Sequence, residues 1–410
     1  MNIAFCYPSV LPARGGCETY ISDLARHLAA DGHEVHLYAC RWDEASLPSS
    51  LRYHRLAVPS GMRILRSWRF ATACERALQK AGHDASIGFD KTWGQDVLYP
   101  QGGLHVATID HNLRKYRSPL ARGLMHLARL VDPANLAFRA LERRQYLGKR
   151  RPLIVVNSEM VRQHFQQYYG IAAEHIHVVR AAIDANRFAE QDRPRRRLEW
   201  RERWGIGPSE TVALFAAMNY RLKGLDPLLR AMRRLADVPL FRLLVIGNPR
   251  TQMYERMAER LGVANRVLFA GHCMEMRNAY FASDFLVHPT FYDPCSLVVL
   301  EALACGLPAI TTRHNGASEL FGPLGDECII PDPHDDERLA LCMRQFLDPA
   351  RRSACAAAAR RLAAGWTFEH HYRQILRVFE EAAARKRAAW RAKQCATTTC
   401  RVGRVFEAHR

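Results

Sequence analysis

Apolar and polar positions along the chain switch between two periods. Asn2–Tyr7 is an apolar run of strand length, and Glu18–Ala30 then carries Tyr20, Ile21, Leu24 and Leu28 at helical spacing. Asp31-Gly32-His33 stops that helix and Val35–Ala39 reads as a second strand, so the chain opens with a βαβ unit. Ile87–Phe89, Val97–Pro100 and Leu153–Asn157 predict further short strands. His164–Tyr169 with Ile176–Val179 predicts a helix and strand that close this half. Between Ala181 and Gly207 the composition shifts: Gln191–Arg203 (QDRPRRRLEWRER) is dense in charge and Gly205-Ile206-Gly207-Pro208 follows, which marks a domain boundary. A second alternation begins at once. Val212–Ala217 is a strand, Pro227–Leu235 a helix, Leu243–Gly247 a strand and Tyr254–Leu261 a helix. Val267–Ala270, Met274–Ala282, Phe285–His288, Leu297–Ala304, Ala309–Thr312 and Cys328–Ile330 continue the pattern, and helices at Asp335–Leu347, Arg351–Ala364 and Phe368–Arg385 finish it. Repeated βα units predict an α/β protein of doubly wound parallel sheets. Two Rossmann-like domains are expected, residues 1–180 and 208–365, facing a central cleft, with 386–410 as a frayed basic tail.

A length of 410 residues suits two domains, and 48% hydrophobic with 24% charged residues is an ordinary globular balance. No apolar run is long enough to cross a membrane. Met1–Tyr7 is short, uncharged and strand-like, with no leader pattern after it, so the chain is expected in the cytoplasm. Most of the twelve cysteines sit inside apolar patterns, where cysteine acts as a small hydrophobe, and no C-x-x-C pair occurs. Net charge is +18, which predicts an anionic partner: phosphorylated substrate, membrane surface or nucleic acid. The charge is uneven. Arg114–Arg151 holds eleven Lys and Arg against Asp132 and Glu142, interleaved with Leu120, Leu124, Leu127, Leu130 and Val131. Such a basic amphipathic segment either lies on anionic lipid or is a solvated helix face.

The stretch with most chemistry is Phe291–Pro308, FYDPCSLVVLEALACGLP. Asp293 precedes Glu301 by eight positions across an apolar run. Pro294 reads as a first helical residue, which would leave the amides of Cys295, Ser296, Leu297 and Val298 as open donors of a helix N-terminus. Such an end binds phosphate, and Glu301 lies about two turns further on. Asn219-Tyr220-Arg221-Leu222-Lys223-Gly224 follows a strand, where Arg221 and Lys223 suit a diphosphate or form a solvated loop. Gly15-Gly16 before the first helix is either a tight turn or a close backbone approach to a ligand. Gln101-Gly102-Gly103-Leu104-His105 would set His105 on the cleft wall, unless that histidine is structural. The G-x-G-x-x-G fingerprint, a Walker loop, G-x-S-x-G and metal-ligand spacings are all missing, so hydride transfer is disfavoured and no metal is expected.

Together these pieces resemble the retaining glycosyltransferases of family 4, with the GT-B fold, over nearly the whole chain from Met1 to about Arg385. The element Asp293–x7–Glu301 with Ala-Leu-Ala-Cys-Gly-Leu-Pro-Ala-Ile-Thr-Thr behind it carries the resemblance, supported by Gly15-Gly16, Lys223-Gly224 and Trp366-Thr367-Phe368. In that fold the last helix, about 368–385 here, crosses back to the first domain. Ile87–Asp96 (IGFDKTWGQD) is similar to bacterial lipopolysaccharide core glucosyltransferases. The resemblance implies an acceptor-binding first domain and a nucleotide-sugar-binding second domain. It implies that Glu301 holds ribose and Asp293 the transferred sugar. The diphosphate would meet Arg221, Lys223 and the amides of Leu297 and Val298, and Gly15 and Gly16 would approach phosphate and sugar. His105 loosely matches a cleft histidine of the family, and aspartate stands at 293 where the family has glutamate. No cofactor is implied beyond a nucleotide-sugar co-substrate, UDP-glucose by default. The acceptor is a glycan or lipid-linked glycan such as lipopolysaccharide core, phosphorylated or membrane-embedded, reached from the inner face of the membrane. A polysaccharide synthase or epimerase-like enzyme of the same fold, a non-catalytic relative and a basic nucleic-acid-binding protein stay open as alternatives.

Overall fold

A computed structural model describes residues 1–12, 16–148, 151–183, 188, 193–322 and 325–407. The first half runs β1 (Asn2–Cys6), β2 (Ser9–Val10), α1 (Gly16–Ala30), β3 (Glu34–Ala39), β4 (Arg41–Trp42), β5 (Arg52–Arg55) and α2 (Arg63–Lys80). It continues with β6 (Ala85–Phe89), β7 (Val97–Tyr99), α3 (His105–Leu113), α4 (Pro119–Val131), α5 (Pro133–Leu147), β8 (Leu153–Val156), α6 (Glu159–Tyr169) and β9 (Ile176–Val178). Its main sheet has the order β5-β3-β1-β6-β7-β8-β9, and every pairing is parallel. The central strands are apolar on both faces because helices cover both sides. The strand order reverses between β1 and β6, which opens a crevice at their carboxyl ends.

The second half repeats the plan. It contains α7 (Arg193–Arg203), β10 (Thr211–Ala217), α8 (Leu225–Arg234), β11 (Phe241–Gly247), α9 (Gln252–Arg260), β12 (Val267–Gly271), α10 (Met276–Ala282) and β13 (Phe285–His288). Then come α11 (Leu297–Ala304), β14 (Ala309–Thr312), β15 (Ile329–Ile330), α12 (Asp336–Gln345), α13 (Pro349–Ala364) and α14 (Phe368–Glu407). The sheet order is β12-β11-β10-β13-β14-β15, again parallel. Both halves are therefore the doubly wound domains expected from the pattern, each with its own apolar core.

Three segments differ from expectation. The charge-dense run after Ala181 is helical from Arg193, not a free linker, and Gln191 and Asp192 lie outside the described residues. Its arginines are tied to the second domain: Arg201 is buried and donates to the carbonyls of Ala282 and Gly207, and Arg197 pairs with Asp284. Pattern rules read charge as solvent exposure, whereas these guanidiniums satisfy buried carbonyls. The final helix does not end at Arg385; it continues to Glu407 through a stretch rich in Ala, Arg and Lys, all good helix formers. Its first turns cross to the first domain, where Phe368, Tyr372, Ile375 and Phe379 join that core. His371 bonds the Tyr20 hydroxyl and the Arg180 carbonyl, and Lys386 bonds Asp96. β5 and α2 have no counterpart in the predicted pattern. β5 is a polar edge strand, RYHR, and α2 buries only Phe70, Ala71 and Cys74.

Candidate active site between the domains

The segment after β13 is shaped by one buried side chain, Asn315. Its Oδ1 accepts from the amides of Ser296 and Ala317, and its Nδ2 donates to Thr311 Oγ1. The Asp293 amide donates to the His314 carbonyl, and Gly316 donates back to the Asp293 carbonyl. These bonds hold residues 293–296 in a bridge beside 314–316. Pro294 consequently does not open a helix; α11 starts three residues later, with Ser296 as its N-cap. The Ser296 amide is spent on Asn315. Leu297 and Val298 are the first two helical residues, and their amides meet no acceptor among the described residues.

Lys223 Nζ donates to Asp293 Oδ2 at 2.5 Å and to the Tyr292 carbonyl at 3.3 Å, and His288 Nε2 lies 3.6 Å from the same carboxylate. Burial alone would raise the Asp293 pKa; the Lys223 ammonium and His288 outweigh it and hold the carboxyl well below the usual range. Burial lowers His288, so that ring is a neutral neighbour near pH 7. Lys223 is aimed by Gly224, which sits at φ +86° with its α-carbon against the Pro289 carbonyl; a Cβ there would come within 2.1 Å of that oxygen. Arg221 does not join the pair. The turn Asn219–Lys223 points it the other way, and its guanidinium covers the Tyr116 ring of the first domain at 4.7 Å.

A cavity of about 430 Å³ lies where the halves meet. Gly16, Cys17, Thr19, Tyr20 and Asn157 line it from the first domain, and Cys295, Leu297 and Glu301 from the second. Gly16 abuts α11 so closely that a Cβ on it would lie 2.6 Å from Leu297 Cδ1. Glu301 accepts from the Tyr280 hydroxyl at 2.6 Å; burial, reinforced by Glu301, keeps that phenol protonated. Asn157, just past β8, is buried with its amide donating to the Gln101 carbonyl, while its Oδ1 has no partner among the described residues.

Of the expected site residues, Gly16, Cys295, Leu297 and Glu301 line this cavity. Lys223 and Asp293 pair with each other nearby in the chain's fold, and Ser296 and Val298 belong to the helix start. Gly15 lies outside the described residues. His105 is not on the cavity wall: it is the first residue of α3, its Nε2 bonds Asn135 Oδ1 at 3.0 Å and its ring packs on Phe138. Glu142 takes the His105 amide, so the residue is built into the packing between α3 and α5. Asn157, Tyr280, His288 and Asn315 escaped the sequence reading. The signals were there for two of them: Asn157 and His288 end apolar strands, at the edge where ligands bind. Tyr280 and Asn315 act through partners distant in sequence.

Two facing Rossmann-like domains, a return helix and a cavity of mixed lining between them, set against a helix N-terminus, define a glycosyltransferase of the GT-B fold. The chain belongs to the family-4 and group-1 glycosyltransferases: residues 14–187 match Glycosyltransferase Family 4 and residues 196–362 match Glycosyl transferases group 1. It is 26% identical over 370 residues to lipopolysaccharide glucosyltransferase WaaG of Escherichia coli K12, covering 88% of this chain and 94% of that protein. It is 28% identical to a GDP-mannose-dependent alpha-(1-6)-phosphatidylinositol monomannoside mannosyltransferase of Mycolicibacterium smegmatis, covering 85% and 90%. The crystal structure of WaaG has the same fold, with a TM-score of 0.74 at 24% identity over 93% of this chain and 98% of that one.

Proposed function

We propose that the chain moves a hexose, glucose by preference, from a nucleoside-diphosphate sugar to a lipid-linked glycan of the lipopolysaccharide-core type, with retention of anomeric configuration. The open Leu297 and Val298 amides at the start of α11 carry this reading, with Leu297 on the cavity wall and Glu301, also on that wall, one turn further along the same helix. The relatedness to a lipopolysaccharide glucosyltransferase over most of both chains supports the choice of sugar and acceptor. In this reading Glu301, oriented by Tyr280, holds the ribose hydroxyls. The helix amides and Lys223 hold the diphosphate. Asp293, kept ionised by Lys223, holds hydroxyls of the transferred sugar, and Asn157 Oδ1 accepts one more. As the C1–O bond breaks, negative charge grows on the diphosphate, and fixed donors aimed there favour its departure. The acceptor hydroxyl then attacks C1 from the face the leaving group vacates and passes its proton to the departing diphosphate oxygen. Chain donors meet the growing charge in place of a metal ion, so EDTA leaves the rate unchanged. A thermal-shift panel of UDP-, ADP- and GDP-sugars tests the donor, because a ligand of the native state raises stability by mass action. UDP-glucose gives the largest shift, and the product's anomeric proton keeps the donor's configuration by NMR. No shift from any nucleotide sugar defeats the proposal.

The same proposal places the protein on the inner face of a membrane through α4. No residue of α4 is buried; Leu120, Leu124, Leu127 and Leu130 form an exposed stripe, and Arg122 and Arg129 stand on the opposite, polar face of the same helix. That combination matches an anionic lipid surface. Among the described residues no helix is long and apolar enough to cross a membrane. Lys149 and Arg150, at the end of the basic segment, lie outside the described residues. Sedimentation with phosphatidylglycerol vesicles, lost on L124E/L127E and in neutral vesicles, is the expected result; equal binding by the variant refutes it.

A further inference from the structure

A second cavity, about 640 Å³, opens at the carboxyl ends of β1, β3 and β6. That is the point in the first sheet where strand order reverses, the place where open α/β sheets bind ligands. Its floor is apolar, from Leu56, Phe70 and Phe89. Its rim is not: Arg41, Arg55, Arg63, Arg66 and Lys91 face Glu18 and Asp90. Lys91 is paired with Asp90 at 2.9 Å. Arg55 lies over the Trp42 ring at 5.3 Å and Arg63 over the Phe138 ring at 5.6 Å, but none of the four arginines has an ion pair among the described residues, so no carboxylate there neutralises them. Arg63 also begins α2, whose N-cap, Met62, offers no side-chain acceptor to the first amides. Backbone strain sits at the same place. Asp90 is at φ +66°, the one non-glycine residue with positive φ among those described, and the buried Gln145 amide clamps the Asp90 and Thr92 carbonyls at 2.6 and 2.8 Å. Strain of this kind persists only where surrounding structure imposes it.

The two cavities flank the first turn of α1. Gly16, Cys17 and Thr19 face the interdomain cavity and Glu18 the other. Tyr20, in the wall of the first, packs edge-on against Phe89 in the floor of the second. We propose that the second cavity is an anion subsite that holds a phosphate monoester carried by the acceptor glycan, beside the place where the sugar is delivered. Arginine suits this because its planar fork pairs two oxygens of one phosphate. The proposal deepens the functional reading above and rests on it for the word acceptor; the anion site itself does not.

The test is calorimetric titration of the full chain with glucose 6-phosphate, with unphosphorylated glucose as control, in the presence of saturating UDP so that the interdomain cavity is filled. The wild type binds glucose 6-phosphate and not glucose. R41Q/R66Q weakens glucose 6-phosphate at least tenfold while its UDP affinity stays within twofold of wild type. Glucose 6-phosphate binding that is absent, or equal in wild type and variant, overturns the subsite. Phosphatidylglycerol vesicles form a second arm: R41Q/R66Q sediments with them as the wild type does, and loss of that binding assigns the arginines to lipid headgroups and overturns the proposal. A failure of UDP to bind would instead strike the donor reading and is read separately.

Discussion

Removing the Asp293 carboxylate should expose how much the second domain depends on its pairing with Lys223. The two groups are 2.5 Å apart, with side chains 13% and 20% exposed, and His288 stands 3.6 Å from the same oxygen. Two unit charges about 4 Å apart attract by about 4 kcal/mol at an effective dielectric near 20, and desolvation offsets much of this. Deleting one partner is different, because it leaves the other charge buried and unmatched, at a cost of about 3–5 kcal/mol. D293A should therefore lower stability by about that amount in urea unfolding. K223M should cost a similar amount by leaving the carboxylate unmatched. The double variant D293A/K223M should cost well under the sum, with a coupling of about 2 kcal/mol or more. Additivity within about 0.5 kcal/mol would mean that the two groups do not meet in the native state, and the site geometry built on them would fall. A nucleoside diphosphate should partly restore D293A, since its phosphates supply the missing anion to Lys223.

Other perturbations follow from the same geometry. G224A pushes a Cβ into the Pro289 carbonyl at a positive φ and should cost about 2–4 kcal/mol, read as a lower urea midpoint with unchanged slope. N315A strands the amides of Ser296 and Ala317 and should cost about 2–4 kcal/mol, together with at least tenfold in donor affinity because α11 loses its fixed start. Burial pushes His371 down to about 4, and burial with Arg114 pushes His111 down to about 3. Both rings stay neutral in the fold while the unfolded chain takes up protons below about pH 6.5. Stability is thus flat above that pH and falls as pH drops from about 6.5 towards 4, by about 1.4 kcal/mol per pH unit for each ring. H371Q should flatten part of that slope in thermal melts taken across this range; an unchanged slope would contradict the assigned burial. E301Q should weaken nucleotide-sugar binding at least tenfold with little loss of stability, because its bond from Tyr280 survives.

Much of this was legible in the chain because it is periodic. The long apolar runs of β1, β10, β11 and β13 are bounded by turn residues, and buried parallel strands need nothing else to be recognised. Asp293, Lys223 and Glu301 could be singled out because each stands at a strand end or on the helix that follows one. What failed failed for non-local reasons. Pro294 has the local chemistry of a helix start, yet Asn315, twenty-one residues on, takes the amide that would have begun the helix. His105 follows a glycine pair after a strand, yet Asn135 and Phe138 on another helix claim it. Arg201 and its neighbours read as a solvated linker because nothing in their own segment reveals the carbonyls they reach. The arginines of the second cavity are spread over three elements that only the sheet order brings together.

The most direct measurement is a crystal structure with UDP-glucose bound. Phosphate oxygens within about 3 Å of the Leu297 and Val298 amides, with ribose hydroxyls on Glu301, are the expected result. A nucleotide seated elsewhere, with no phosphate at those amides and Glu301 touching only protein, contradicts the account.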